Sequence, residues 1–233
     1  MSIKVSNLLE TVLWVHFISS IQLFHLCIQS YEGAFGQGPG HEAHGGSTFC
    51  ALATLVLMDR VEDVLDGRKI RRLQRWCIMK QVSGFQGRPN KDPDTCYSFW
   101  VGATLALLNA FHTVNAQENL EFVKSTEDSS VGGFSKYPDS FPGEFIQITI
   151  SFSWHDIIVF PSFLSRFLYL LDVLHTFLGL SGLSLHEEVC LGLKPVEPTL
   201  NISKTALAAF RQLCWTLSKS HSSVTWADNY RPA

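Results

Sequence analysis

Asp94 and Cys96 flank a single residue at the point where a Gly/Pro/Asn loop, Gly84 to Pro93, gives way to an apolar run at 101–108. Gly and Pro punctuate, and Asp94 or Thr95 can cap a helix beginning at Cys96. His175 opens a second apolar run further along. A carboxylate oxygen, a thiolate and an imidazole nitrogen make a three-ligand zinc set with a fourth position open, as catalytic zinc requires. Asp-x-Cys alone is a weak signal, and a single histidine at a helix start is more often a cap or a core residue. The three gain meaning only if the fold brings them together.

Cations lie beside them. Arg88, Lys91 and Lys136 sit in loops that feed apolar runs, and His44 fills, in an earlier segment, the slot Asp94 fills here. Arg as a fork, Lys as a point charge and His at helix N-termini would together hold a diphosphate. Without an argument for convergence they are ordinary solvated loop charges.

The argument for convergence is a repeat. Phe35, Phe85 and Phe134 each follow glycine closely and lie about 50 residues apart, and Thr54-Leu55 and Thr104-Leu105 keep that register. Each of the first two units predicts a Gly-rich loop, an apolar helix (47–58; 96–110) and a more amphipathic one (66–81; about 116–125). The first helix of each pair is apolar nearly all round and lines an interior; the second faces outward. Such hairpins stack into a curved αα-solenoid or a closed αα-toroid, an all-α fold.

The third unit breaks the arithmetic. Its loop is Gly132-Gly133-Phe134-Ser135-Lys136-Tyr137-Pro138 and its inner helix 175–185, about 29 residues later than the spacing allows. The surplus falls at 143–171, rich in Phe, Ile, Ser and Leu and without a clear period. Joining Pro142 to Asp172 gives Pro-Asp-Val-Leu-His, parallel to Pro93-Asp94-Thr95-Cys96-Tyr97. Residues 187–202 read as a Pro-bearing linker, 203–218 as a last outer helix and 219–233 as a tail. Residues 1–29 stand apart: the apolar stretch from 11 to 28 is broken by His16, Gln22 and His25 and makes a marginal membrane span without a clear cleavage site.

Composition narrows the function classes. The 233 residues are 46% hydrophobic with a net charge of -3, which gives no general attraction to nucleic acid. Arg68, Lys69, Arg71, Arg72 and Arg75 alternate with Ile70, Leu73, Trp76 and Cys77, the pattern of an amphipathic helix with a solvated basic face. Six cysteines and the Asn201-Ile202-Ser203 sequon permit a disulfide-bonded secreted chain. Cys50, Cys77 and Cys214 sit inside apolar helical patterns, however, which suits free thiols in a reducing, cytoplasmic compartment better.

Three stretches are long enough to carry a resemblance: Glu42-Ala43-His44-Gly45-Gly46-Ser47-Thr48-Phe49-Cys50, the segment from Gly84 to Trp100, and Gly132-Gly133-Phe134-Ser135-Lys136. They resemble the β subunits of protein prenyltransferases, and Val101-Gly102-Ala103-Thr104 with Lys136-Tyr137-Pro138-Asp139 resembles the type I geranylgeranyl enzymes in particular. The resemblance implies an α/α-toroid subunit paired with a helical-repeat α subunit. It would move a geranylgeranyl group from its diphosphate to the cysteine of a C-terminal CaaX sequence on proteins such as small GTPases. By motif position, Asp94, Cys96 and His175 would bind Zn2+, while His44, Arg88, Lys91 and Tyr97 would hold the diphosphate. Lys136 stands where related enzymes recruit magnesium and, with Tyr97, is the candidate for the catalytic step. Phe49, Phe99 and Trp100 would shelter the isoprenoid. A full-length subunit of that family carries about twice as many helix pairs, so this chain is expected to be a partial toroid.

Overall fold

A computed structural model describes residues 28–129, 132–140, 172–186 and 192–220. Residues 1–27 of the segment expected at 1–29, the whole segment expected at 143–171, and residues 221–233 of the tail expected at 219–233 lie outside the described residues. The described helices are α1 (Gly45–Leu57), a short α2 (Val61–Val64), α3 (Gly67–Ile78), α4 (Tyr97–Leu107), α5 (Ala116–Ser125), α6 (Val173–Leu183) and α7 (Lys204–Ser220), with a 3-10 turn at Phe111–Thr113. The linker holds a two-residue antiparallel pair, β1 (Val196–Glu197) and β2 (Ile202–Ser203), which the all-α expectation did not include.

Composition sorts the helices into layers. α1 and α4 carry no charged residue, and α6 carries only His175. They pack side by side, α4 between α1 and α6. The charged α3 packs outside α4, and α5 outside α6. This is the inner-and-outer arrangement that the two kinds of periodicity predict.

Small residues set how near the inner helices come. A Cβ on Gly182 of α6 would lie 2.5 Å from the Ser98 carbonyl carbon and 2.7 Å from the Phe99 nitrogen, so α6 rests directly on the first turn of α4. Gly179 is comparably tight against Thr95, at 2.8 Å. Buried Ser98 donates to Asn119 Oδ1 (2.9 Å), and the Asn119 amide lies 3.2 Å from His186 Nε2, tying α4, α5 and the end of α6.

The repeat is visible in the backbone. Bridges Gly36–Ala43 and Gln86–Pro93 occupy the same place in successive loops, as do Gln81–Phe85 and Glu127–Phe134. Asp59 and Asn109 close α1 and α4 with φ of 54°, and Asn90 and Asp139 turn the loops with φ of 59°. Asn and Asp are the non-glycine residues that tolerate this region best. The Phe35 amide donates to Thr48 Oγ1 (3.1 Å), and the Phe134 amide to Thr176 Oγ1 (2.9 Å). The two bonds join the same loop and helix positions, although the partners are 13 residues apart in one unit and 42 in the other.

Helix bounds move by a few residues: α1 starts two residues before 47 and α3 stops short of 81. Cys50, expected among small core hydrophobes, is exposed; Cys77 is buried, and both are free thiols. On α6, Val173, Leu174, Phe177 and Leu180 are exposed, an apolar strip along the last inner helix. No described helix is long and apolar enough to cross a membrane.

Candidate metal centre

Each inner helix is preceded by a side chain that accepts a hydrogen bond from a backbone amide at or just before its first turn. Asp94 Oδ1 accepts from the Cys96 amide (2.9 Å), which fixes the loop just ahead of α4 and turns the thiol inward. Asp172 Oδ1 accepts from the His175 amide at the start of α6. The close crossing of α4 and α6 then brings both starts together. Ligand atoms of Asp94, Cys96 and His175 lie within 4.8 Å of one another, and all three residues are buried.

The details suit a cation. His175 Nε2 is 3.3 Å from Asp94 Oδ1, and its other nitrogen, Nδ1, is held by the Asp172 carboxylate. A carboxylate on the far nitrogen fixes the tautomer and points Nε2 at the would-be metal. Burial opposes charge on His175, but the hydrogen bonds its ring donates to Asp172 and then to Asp94 outweigh it and raise its pKa to about 9. Burial also works against the Asp94 charge, yet His175 and Cys96 hold that carboxyl below the ordinary carboxylate range. Cys96 is pushed up, first by burial and then by Asp94, with Lys136 opposing. A thiol of this kind becomes a thiolate only when a metal displaces its proton.

Lys136 Nζ approaches Asp94 Oδ2 at 3.6 Å, so one cation from the third loop stands at the edge of the cluster. On the other side the cluster continues through Tyr97, whose hydroxyl is 2.9 Å from His44 Nε2. His44 Nδ1 accepts from the Ser47 amide (3.2 Å), which leaves the proton on Nε2, facing Tyr97. Burial and then Arg88 lower the His44 pKa. His44 is therefore a neutral donor on this rim, where the sequence reading grouped it with the cations. Arg88 pairs with Glu42 at 2.7 Å, both partly exposed.

Lys91 is not brought in. Its side chain is exposed, and its amide donates to the Arg88 carbonyl (3.4 Å). The aromatic residues do gather: the Phe49 ring lies 5.2 Å from both Phe99 and Trp100, beside Cys96 and Leu178. Phe99 has no exposed surface, so it backs the other two. Sequence reasoning gave no role to Asp172 or Glu42. The signal for Asp172 was its place in the repeat, equivalent to Asp94.

Comparison with known proteins identifies the family of the fold. The prenyltransferase α/α-toroid domain matches residues 1–202. The β subunit of geranylgeranyl transferase type 1 from Dictyostelium discoideum is 37% identical over 188 residues, 81% of this chain and 44% of that protein. The Arabidopsis thaliana β subunit of the same name is 34% identical over 195 residues, 78% of this chain and 43% of that one. Among solved structures, Candida albicans protein geranylgeranyltransferase-I complexed with GGPP superposes with a TM-score of 0.62 at 27% identity, covering 82% of this chain and 49% of its own. This chain thus spans less than half the length of these relatives. It belongs to the prenyltransferase α/α-toroid family.

Proposed function

We propose that this chain is catalytic β-subunit sequence of a zinc-dependent protein geranylgeranyltransferase type I, transferring geranylgeranyl from its diphosphate to the cysteine of C-terminal CaaX motifs. Residues 30–142 and 172–218 would form the toroid repeats, interrupted by 143–171, and an α subunit would complete a cytoplasmic heterodimer. The observation that carries this reading is the convergence of three chemically different buried donors beside a rim of hydrogen-bond donors and cations.

Asp94, Cys96 and His175 would hold zinc, with Asp172 orienting the imidazole. Bound zinc makes an incoming substrate thiol a thiolate near neutral pH, where a free cysteine is mostly protonated. The chain's own groups do the rest. Tyr97, with its oxygen fixed by His44, offers a hydroxyl to the diphosphate, and Arg88 supplies a charged fork once it turns from Glu42. Lys136 stands closest to the metal cluster and would stabilise charge growing on the leaving oxygen as the allylic bond breaks. Phe49 and Trp100, backed by Phe99, would keep water from the isoprenoid.

A second reading follows from one observation. The chain matches less than half of its relatives, and α6 leaves Val173, Leu174, Phe177 and Leu180 exposed. A partial toroid of this kind would bind zinc or the α subunit without turnover. Co-expression with an α subunit separates the two: zinc binding with geranylgeranylation of a CaaX peptide supports the enzyme, and zinc binding without it supports the non-catalytic form. Absence of bound zinc overturns the enzyme reading, and absence of both zinc and a bound α subunit overturns the two together.

A further inference from the structure

Between the candidate ligands Asp94 and Cys96 stands Thr95, fully buried, with its side chain turned to the third loop. Its amide donates to the Lys136 carbonyl (3.1 Å). Its hydroxyl oxygen lies 2.7 Å from the Ser135 carbonyl and 3.2 Å from that of Lys136, and the single proton goes to the nearer. Thr126 Oγ1 lies 3.0 Å away on the same side, and the Ser135 amide donates to the Thr126 carbonyl (2.8 Å). The carbonyls on both sides of the Lys136 Cα are therefore held against one residue, and the lysine leaves from a fixed backbone. Its Nζ stands 3.6 Å from Asp94 Oδ2 and 4.9 Å from the Tyr137 ring centre.

The first junction shows what the hydroxyl adds. There the Gly45 amide donates to the Gly87 carbonyl (2.8 Å), the counterpart of the bond from Thr95 to Lys136. Both of those residues are glycine because the Tyr97 ring fills the space: a Cβ on Gly45 would lie 2.9 Å from it, and one on Gly87 2.0 Å. At the second junction the residue in the place of Tyr97 is His175, three after Asp172 as Tyr97 is three after Asp94, and side chains stand where the glycines were. One backbone bond is thus enough to join loop and helix start. The Thr95 hydroxyl is an addition at the junction that carries a lysine. Its methyl group does separate work, packing where a Cβ on Gly179 of α6 would approach to 2.8 Å.

We infer that Thr95 is the positioning residue for Lys136: its hydroxyl fixes the backbone at 135–136 so that the ammonium stands beside the metal cluster, where it meets the diphosphate. Thr95 touches neither metal nor diphosphate and acts through the lysine alone. A lysine stem loses rotamer freedom when its ammonium engages a ligand, and a fixed root lowers that cost. The inference rests on the function proposed above, which gives Lys136 the diphosphate.

The probe is inorganic pyrophosphate, titrated by calorimetry into the full chain loaded with zinc, with bound zinc measured before and after and circular dichroism checking the helices. Thr95→Val keeps the branched shape against Gly179 and removes the hydroxyl. It should weaken pyrophosphate binding about tenfold, within the range for groups coupled in one network, with wild-type zinc content. Thr95→Ser keeps the hydroxyl without the methyl and should bind within about twofold of wild type, an order that a packing role would reverse. Should valine unsettle the fold, Thr95→Ala carries the same expectation. In a Lys136→Ala background Thr95→Val should cost nothing further. Wild-type affinity in Thr95→Val, an equal loss with or without Lys136, or loss of zinc from Thr95→Val would each overturn the positioning role and leave the proposed function standing. A wild-type chain that binds no pyrophosphate would overturn the diphosphate reading, and this inference with it.

Discussion

The junction between α1 and α4 and the junction between α4 and α6 are built to one plan and do different chemistry. In each, a side chain just before the helix accepts a hydrogen bond from a nearby backbone amide, in the first turn for His44 of α1 and Asp172 of α6 and just ahead of it for Asp94 of α4. Capping needs only one acceptor atom. The remaining atoms of the same side chain are then available at a fixed position. His44 spends its second nitrogen on Tyr97, giving a neutral hydrogen-bonding rim. Asp94 spends its remaining capacity on His175 and Lys136, giving a buried charged cluster. The repeat thus supplies placement, and the residue in the cap slot decides the chemistry.

The largest effect should come from the metal cluster itself. Cys96→Ala is expected to take zinc from about one per chain to none, while His44→Ala leaves the metal content unchanged; metal analysis of the two proteins side by side decides it. Equal zinc in Cys96→Ala and wild type would remove the distinction between the junctions. Next is Gly182→Ala, which drives a methyl group into the α4 backbone at the second junction only. It should cost about 3 kcal/mol in urea unfolding, the upper end for overpacking a tight contact.

The second junction also has a pH dependence, of the same sign as the lowered His44 pKa gives the first. Burial depresses the His186 pKa from 6.5 to about 4. A histidine depressed in the folded state contributes stability above its unfolded pKa and loses it as pH falls. Stability should therefore drop on the order of 2–3 kcal/mol between about pH 6.5 and 4, and His186→Gln should flatten that slope in acid denaturation curves.

Asp172→Asn tests the orienting carboxylate. Zinc affinity, measured by competition with a chelator, should fall about 10–100-fold while zinc still binds. An unchanged affinity would mean that Nε2 is aimed by packing alone. The smallest effect belongs to the first junction's exposed pair: Glu42→Gln should change stability by less than about 1 kcal/mol, with any gain in diphosphate affinity reporting the release of Arg88.

The repeat and the clustering of the three donors Asp94, Cys96 and His175 were legible because they depend on residue type and spacing. Phe85 after Gly84, the Asp-x-Cys pair and His175 at the next helix start all follow from register, and register survives in one dimension. What sequence did not carry depends on the path of individual side chains. Lys91 shares a loop with Arg88 yet faces solvent, because the turn at Asn90 with its positive φ separates them. His44 looked like a cation, but its charge is set by burial and by Arg88, both products of folding. Phe99 has the spacing of a wall residue, but the crossing at Gly182 closes over its helix turn and leaves it no exposed surface.

The bond from Phe134 to Thr176 has a consequence for engineering and for gene structure alike. A hook between a loop amide and a helix hydroxyl aligns the third unit irrespective of how many residues separate its two ends. Supplying 28–140 and 172–220 as separate polypeptides should accordingly let them reassociate through that hook and the Gly182 crossing, restoring the Asp94–Cys96–His175 cluster from two pieces.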